Sequence, residues 1–117
     1  MNKIIGFTLI SLITILFFKT NDGLISIKNA KDKLKINYFD IILDVRSNEE
    51  FNKGKYQNAL NIPFDTIDDN ILAKFDNNIK ILLYCRSGRR AKIAYQNLKN
   101  LGYKKVYYIN DTYKSLL

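Results

Sequence analysis

Short, almost continuous apolar runs alternate with amphipathic stretches along most of this sequence, and this alternation constrains the fold more than any other feature. The runs 41–43, 81–84 and 106–109 are apolar throughout rather than at every second residue. Strands buried on both faces of a parallel sheet have this pattern. A fourth short strand is predicted at 59–62. The intervening stretches predict helices at about 28–36, 48–53, 66–75 and 89–101.

This order of elements predicts an α/β fold in which a central parallel β-sheet is flanked by helices. At 117 residues the chain has room for one ordinary globular domain. Ligands of open parallel sheets bind where the strands end, at their carboxyl edge. The functional residues are therefore expected in the loops that follow the strands.

The composition narrows the possible chemistry, because the sequence has no histidine and one cysteine, Cys85. The absence of histidine excludes Ser-His-Asp and Cys-His catalytic sites and every zinc motif that needs histidine. A single cysteine also excludes an intrachain disulfide and a multi-cysteine metal cluster. We therefore expect no metal and no cofactor, and Cys85 is the strongest candidate nucleophile.

The net charge of +8 comes from two differently distributed residue types. The fifteen lysines are spread along the chain, as on a solvated surface. The four arginines are Arg46, Arg86, Arg89 and Arg90, so three of them follow Cys85 closely. Planar guanidinium groups bind anions through paired hydrogen bonds, which lysines cannot do. Nucleic-acid binding is not expected, because the sequence shows neither a Lys/Arg run nor an aromatic ladder.

The N-terminal segment differs from the rest, since Lys3 precedes an uncharged apolar run at 4–18. Such a run is about 22 Å long as a helix, short of the ~30 Å hydrocarbon core of a bilayer. It predicts a signal peptide at 1–19, or an uncleaved membrane anchor because no small-x-small cleavage site follows. A buried helix is disfavoured because the run has no polar face. The domain at 24–117 is then expected to be exported, periplasmic or anchored facing outward, with Lys3 on the cytoplasmic side.

Cys85 stands where a predicted strand ends and a predicted helix is about to begin. The loop Arg86-Ser87-Gly88 joins them, and Gly88 permits a positive φ. Main-chain N–H groups of such a loop and of the helix start can converge on an anion. The sequence therefore predicts a reactive thiolate in an anion-binding loop. The alternative is that Cys85 is a small buried apolar residue at a strand end.

Two segments resemble the signature segments of the rhodanese family of sulfurtransferases. Cys85-Arg86-Ser87-Gly88-Arg89-Arg90-Ala91 is similar to the family's active-site loop. The second segment agrees in residue types and spacing; it comprises Asp44-Val45-Arg46, Glu50-Phe51, Gly54, Ala59 and Asn61-Ile62-Pro63. The resemblance runs from about residue 25 almost to the C-terminus. It departs at Asp111-Thr112, where the family commonly has a Gly-Gly pair, and in lacking the tryptophan that follows.

The resemblance implies a single-domain α/β sulfurtransferase. Cys85 would take a sulfane sulfur from a small anionic donor such as thiosulfate, become a persulfide, and pass the sulfur to cyanide or a thiol. The substrate-binding residues would be Arg86, Ser87, Gly88, Arg89, Arg90 and Arg46. Asp44 would support the loop by accepting hydrogen bonds from an arginine. Among the arginines, Arg86 and Arg90 are expected to face the site or brace the loop, and Arg89 to face solvent.

Two other functions stay open. A cysteine phosphatase or arsenate reductase also uses a thiolate, but its Cys-x5-Arg loop needs arginine at the position of Ala91. A non-catalytic binding or sulfur-carrier module would keep the cysteine without turnover. The sequence makes no prediction of the oligomeric state.

Overall fold

A computed structural model describes residues 23–68 and 75–117. Their order is that of an α/β domain, with helices and strands in turn. The helices are α1 (Ile27–Lys35), α2 (Asn48–Lys53) and α3 (Arg89–Asn100), the strands are β1 (Ile41–Asp44), β2 (Leu60–Asn61), β3 (Lys80–Tyr84) and β4 (Lys105–Tyr108), and 3-10 turns cover Phe64–Thr66 and Tyr113–Leu116.

The strands form one parallel sheet in the order β2-β1-β3-β4 within the described residues. β1 and β3 lie in the centre and pair from Ile41 with Ile81 to Asp44 with Tyr84. Because all strands run in the same direction, the residues that follow β1, β3 and β4 meet at one edge. The predicted parallel sheet is thus confirmed.

Burial of β3 on both faces explains its apolar run. Ile81, Leu83 and Cys85 face a core cluster that includes Ala91, Ala94 and Leu98 of α3. Leu82 and Tyr84 face a second cluster that includes Ala30 of α1, with Ile109 and Leu116 from the C-terminal part of the chain. None of these five β3-segment residues is more than 1% exposed. The sheet therefore lies between two helical layers, and Cys85 lies on the face of the sheet that packs against α3.

The sequence predictions of 28–36, 48–53 and 89–101 match α1, α2 and α3 to within one residue at each end. The strand predicted at 59–62 is shorter, since only Leu60–Asn61 pairs with β1. The helix predicted at 66–75 lies mostly outside the described residues; its first residue ends the 3-10 turn Phe64–Thr66.

The predicted signal or anchor segment at 4–18 also lies outside the described residues. No helix within 23–68 or 75–117 is both long and apolar enough to cross a membrane.

Candidate active site

The carboxyl edge of the sheet opens into a pocket of about 460 Å³ with Cys85 in its wall. Other walls come from the loop after β1 and from α2, from the residue after Cys85, and from the turn after β4. The lining residues are Arg46, Glu50, Lys53, Gly54, Cys85, Arg86, Thr112, Tyr113 and Lys114. The pocket therefore lies where parallel-sheet topology predicts a ligand site.

The Cys85 sulfur is held by main-chain donors at the start of α3. Its Sγ accepts hydrogen bonds from the N–H groups of Gly88 at 3.0 Å and Ala91 at 3.4 Å. The N–H groups of Arg86, Ser87, Arg89 and Arg90 have no acceptor in the part of the chain that the structure describes. Donors at a helix start attract negative charge, because the helix dipole adds to their own. The arrangement stabilises an anionic sulfur at Cys85 and offers further donors to a second anionic atom.

Gly88 shapes this loop in two ways. It precedes α3 with φ of +101°, a left-handed conformation that side chains disfavour. A Cβ at this position would also stand 2.7 Å from the Cα of Asn110. Glycine is required here by conformation and by space, and this lets the loop turn its N–H groups toward the sulfur.

Asp44 and Arg46 form a buried ion pair beside the loop. Arg46 donates from Nε to Asp44 Oδ1 at 3.0 Å and from Nη2 to Oδ2 at 2.6 Å, and its main-chain N–H donates to Oδ1 as well. Asp44 is 0% exposed and Arg46 9%. The side-chain amide of Asn61 donates to the carbonyl oxygens of both residues, which fixes the turn between them. The hydrogen bonds from Arg46 to Asp44 raise the pKa of Arg46, so this guanidinium stays charged.

Tyr84, the residue before Cys85, is joined to this ion pair by a hydrogen bond. Its hydroxyl donates to Asp44 Oδ2 at 2.7 Å and accepts from the main-chain N–H of Tyr56 at 2.9 Å. Burial raises the pKa of Tyr84, so the hydroxyl remains a donor to the carboxylate. These bonds fix the last residue of β3, which directly precedes Cys85 in the chain.

Aromatic rings and a carbonyl hold the Arg46 guanidinium at the pocket wall. Its Cζ lies 5.6 Å from the centre of the Tyr84 ring and 5.2 Å from that of Tyr113. Its Nη2 also donates to the carbonyl of Gly54 at 2.6 Å. The hydroxyl of Tyr113 packs directly against Gly54, where it leaves no space for a Cβ. Arg46, paired with Asp44, is therefore held in a fixed position at the pocket wall.

Arg90 binds Glu50 rather than standing free in the pocket. Its Nη1 and Nη2 donate to the two Glu50 carboxylate oxygens at 2.7 and 3.0 Å. Glu50 also accepts from the N–H and hydroxyl of Ser47, the residue that caps α2. These bonds, the one from Arg90 foremost, lower the pKa of Glu50 to about 2. The pair ties the start of α3 to α2 across the site.

The other two predicted arginines are both exposed, and they differ in whether they line the pocket. Arg86 lines it, whereas Arg89 does not, and neither does the exposed Ser87. The structure thus brings Cys85, Arg86 and Arg46 to one pocket and supports them with Asp44 and Arg90. It leaves the side chains of Ser87 and Arg89 outside, although their N–H groups belong to the loop.

Sequence reasoning missed several pocket residues: Glu50 as the partner of Arg90, and Lys53, Thr112, Tyr113 and Lys114 as wall residues. A signal for the last three was available, because they follow β4 and must lie at the same edge as Cys85. No comparable local signal marks Lys53, the last residue of α2. Within residues 23–68 and 75–117 no cluster of side chains could hold a metal ion.

Comparison with known proteins agrees with this geometry. The chain matches the model of the Rhodanese-like domain family over residues 26–116. The chain belongs to this family. Among solved structures, it resembles the human single-domain sulfurtransferase TSTD1 with a TM-score of 0.68 and 24% identity, over 80% of this chain and 93% of that one. At that identity the likeness shows the rhodanese fold.

Two named relatives are similar in sequence to this rhodanese-like domain. The tRNA uridine(34) hydroxylase of Erwinia tasmaniensis is 34% identical over 74 residues, 59% of this chain and 21% of that protein. A Bacillus subtilis protein named "Putative sulfur carrier protein YrkF" is 33% identical over 82 residues, 70% of this chain and 44% of that protein. The chain thus spans about a fifth of the first relative and less than half of the second.

Proposed function

We propose that this rhodanese-like domain is a sulfurtransferase that carries a sulfane sulfur on Cys85. The observation that carries the proposal is the position of the Cys85 sulfur, which accepts two N–H groups at the start of α3 while neighbouring N–H groups have no acceptor in the described residues. Such a site stabilises a thiolate and, after transfer, the outer sulfur of a persulfide. Family membership and the name of the human structural relative support the same class of reaction.

With thiosulfate as donor, the Cys85 thiolate attacks the outer sulfur of the anion. A bond forms between this sulfur and Sγ, the sulfur–sulfur bond of thiosulfate breaks, and sulfite leaves with the electron pair. An acceptor thiolate or cyanide then attacks the outer sulfur of the persulfide and restores the Cys85 thiolate. No external oxidant is needed, and the positive pocket wall favours entry of the anionic donor.

Mass spectrometry of the full chain tests the first step. After treatment with thiosulfate, the wild-type protein should gain about 32 Da, the mass of one sulfur atom, on the peptide that contains Cys85. Cys85→Ser and Cys85→Ala should fold normally, gain no mass and transfer no sulfur to cyanide. Sulfur transfer retained by Cys85→Ala would contradict the proposal.

The arginines of the loop provide a graded test. Arg86→Ala should raise the KM for thiosulfate because Arg86 lines the pocket. Arg90→Ala should raise it as well, because Arg90 anchors α3 to Glu50. Arg89→Ala removes the same charge from an exposed side chain of the same segment that does not line the pocket, and it is the matched control. Equal KM values for the three variants would contradict the proposed arrangement.

A sulfur-carrier role is the second candidate function, because the Bacillus subtilis relative carries that name. A carrier would form the Cys85 persulfide but release its sulfur only to a protein acceptor. Single-turnover release of sulfur to cyanide and to small thiols, measured after loading with thiosulfate, separates the two. Release to small acceptors supports the enzyme, and retention of the persulfide supports the carrier.

The proposal includes export, which the apolar run at 4–18 supports. The domain would face the periplasm or cell exterior, with residues 4–18 as a cleaved signal or a membrane anchor. External protease added to spheroplasts should degrade the domain. A protected, soluble cytoplasmic protein would contradict export, and an intact N-terminus in the membrane fraction would identify an anchor.

A further inference from the structure

The edge of the sheet that lies opposite the Cys85 pocket is rich in lysine. Strands β1, β3 and β4 begin at this edge, and α1 ends beside it, because the chain passes directly from α1 to β1. We call it the amino edge; its exposed or partly buried side chains include Lys33, Lys35, Ile36, Tyr38, Lys80, Lys104 and Lys105. Asp40 and Asp76 lie there too, but each accepts a main-chain N–H group, that of Lys80 and that of Asn78 respectively. Five lysines against two aspartates give this edge a positive charge.

Aromatic rings hold two of these lysines. The Lys33 Nζ lies 4.0 Å from the centre of the Tyr38 ring, and the Lys80 Nζ lies 5.0 Å from the centre of the same ring. The Tyr38 and Tyr107 hydroxyls are joined by a hydrogen bond of 2.8 Å. A ring attracts an ammonium group but does not cancel its charge. None of the five lysines is in an ion pair within residues 23–68 and 75–117, so their charges remain available to an anionic partner.

The amino edge also has the composition of a membrane interface. Its lysines and its tyrosine adjoin Ile36, which directly follows α1 and is 72% exposed. Surfaces that rest on anionic bilayers combine basic side chains with aromatic and apolar ones, because the headgroups attract the former and the interfacial region accepts the latter. An anionic bilayer therefore fits this edge in both charge and polarity.

The described chain enters the domain from the direction of the amino edge. Its first residues run parallel to β4: the Tyr108 N–H donates to the Gly23 carbonyl at 2.8 Å, and the Ile25 N–H donates to the Tyr108 carbonyl at 3.0 Å. Because the two segments are parallel, the residue that precedes Gly23 comes from the side on which β4 begins. This side carries Lys105, the first residue of β4.

The distance along the chain allows the amino edge to reach a bilayer that holds the apolar run at 4–18. Residues 19–22 separate this run from Gly23, and they allow at most about 18 Å when fully extended. Lys105 precedes Tyr108 by three residues of β4, which is about 10 Å along the sheet. An anchor at 4–18 thus holds the amino edge close to the bilayer surface.

We propose that the amino edge docks onto an anionic bilayer surface and turns the Cys85 pocket away from the membrane. The pocket lies at the carboxyl edge, so a domain that rests on its amino edge exposes the pocket to the aqueous phase. A dissolved sulfur donor and acceptor then reach Cys85 without crossing the interface. For its tether the inference rests on the anchor included in the proposed function, but the contact is made by the domain itself and does not depend on sulfur transfer.

Hydrogen–deuterium exchange of the full chain, followed by mass spectrometry, tests the contact. The chain is reconstituted with vesicles of phosphatidylcholine alone or of equal parts of phosphatidylcholine and phosphatidylglycerol. Peptides that cover 33–38 and 103–106 should exchange more slowly with the anionic vesicles, whereas peptides that cover 86–88 should not differ. At about 1 M salt, where the Debye length falls to roughly 3 Å, this protection should disappear.

A pair of double variants tests the charge of the edge. Lys104→Gln,Lys105→Gln should lower the docking equilibrium constant by roughly 30-fold, the factor that corresponds to about 1 kcal/mol for each lysine near an anionic surface, and should remove most of the protection. Lys28→Gln,Lys92→Gln is the matched control, because it removes the same charge from exposed residues near the starts of α1 and α3, at the carboxyl edge. The control should keep the protection.

Equal exchange of the amino edge with the two kinds of vesicle would overturn the proposal, as would equal losses of protection in the two double variants. Protection by soluble polyglutamate but not by anionic vesicles would assign the edge to an acidic protein and overturn the proposal as well.

Flotation of the vesicles at high salt tests the anchor separately. A chain that floats with phosphatidylcholine alone is anchored, and unchanged exchange would then overturn only the docking surface. A chain that floats only with anionic vesicles at low salt would support the docking surface and contradict the anchor. Sulfur transfer measured on the same samples tests the rest of the proposed function.

Discussion

Two ion pairs flank the Cys85 loop, and they differ in almost every physical respect. Asp44 and Arg46 are two residues apart and buried, with six hydrogen bonds that join them or link their charged groups to neighbours. Glu50 and Arg90 are forty residues apart and partly exposed, with side-chain exposures of 31% and 20%. The first pair holds a turn rigid beneath the pocket, and the second joins two helices at its rim.

Because of this difference in burial, we expect the two ion pairs to contribute unequally to stability. A charge left without its partner in the interior is strongly destabilising, because water cannot replace the lost interaction. A charge at the rim recovers most of that interaction from water. We therefore expect the Asp44 pair to control folding of the domain and the Glu50 pair to control the geometry of the loop.

The largest expected effect is that of Asp44→Asn. The substitution keeps the side chain's size but leaves the buried Arg46 guanidinium without a counter-charge, and it should lower the free energy of unfolding by about 3 kcal/mol. Urea unfolding followed by circular dichroism measures this. Glu50→Gln is the matched control, since it also converts a paired carboxylate to an amide. Equal losses in the two variants would remove the distinction between the pairs.

A smaller effect is expected from Tyr84→Phe, which removes one hydroxyl and leaves both ion pairs intact. The Asp44 carboxylate loses a donor and the Tyr56 N–H loses its acceptor, so the free energy of unfolding should fall by about 1–3 kcal/mol. Urea unfolding of Tyr84→Phe and of Asp44→Asn,Tyr84→Phe forms a double-mutant cycle. Coupling between the two sites is expected because the side chains touch, and strict additivity would contradict a shared network.

The smallest effect on stability is expected from Glu50→Gln, within about 1 kcal/mol at pH 7. The pKa of Glu50 is lowered from 4.5 to about 2 in the folded protein. Its contribution to stability is therefore fully present above pH 4.5 and is lost as the pH falls through about 2. The difference in unfolding free energy between wild type and Glu50→Gln should accordingly shrink as the pH is lowered from 4.5 to about 2.

Glu50→Gln also tests whether the Glu50–Arg90 pair influences binding of the sulfur donor. Glu50→Gln weakens the hold on Arg90 and should raise the KM for thiosulfate even though stability barely changes. A steady-state assay at pH 7 measures this, with Lys105→Gln as a control for surface substitution. An unchanged KM would show that the α2–α3 link does not shape the loop.

Much of the local site could be predicted from the sequence. The apolar runs predicted the parallel sheet and placed Cys85 at its carboxyl edge, because burial on both faces requires such runs. The succession Cys85 to Gly88 predicted a loop ahead of a helix, and α3 begins at Arg89. The resemblance implied Asp44 as a loop support that accepts hydrogen bonds from an arginine, and the structure shows that this arginine is Arg46.

The sequence by itself therefore determined the order of elements, the position of Cys85 at the end of a strand and the loop that follows it, since these depend on neighbours along the chain. Only the tertiary structure decided that Arg90 binds Glu50, that Tyr84 connects to Asp44, and that Lys53 and Lys114 share one pocket with Cys85. Each of these contacts joins segments brought together by parallel strand pairing and helical crossovers. The periodicity of the sequence does not predict these contacts, because the distance between the partners is set by packing of the layers and not by their separation in sequence.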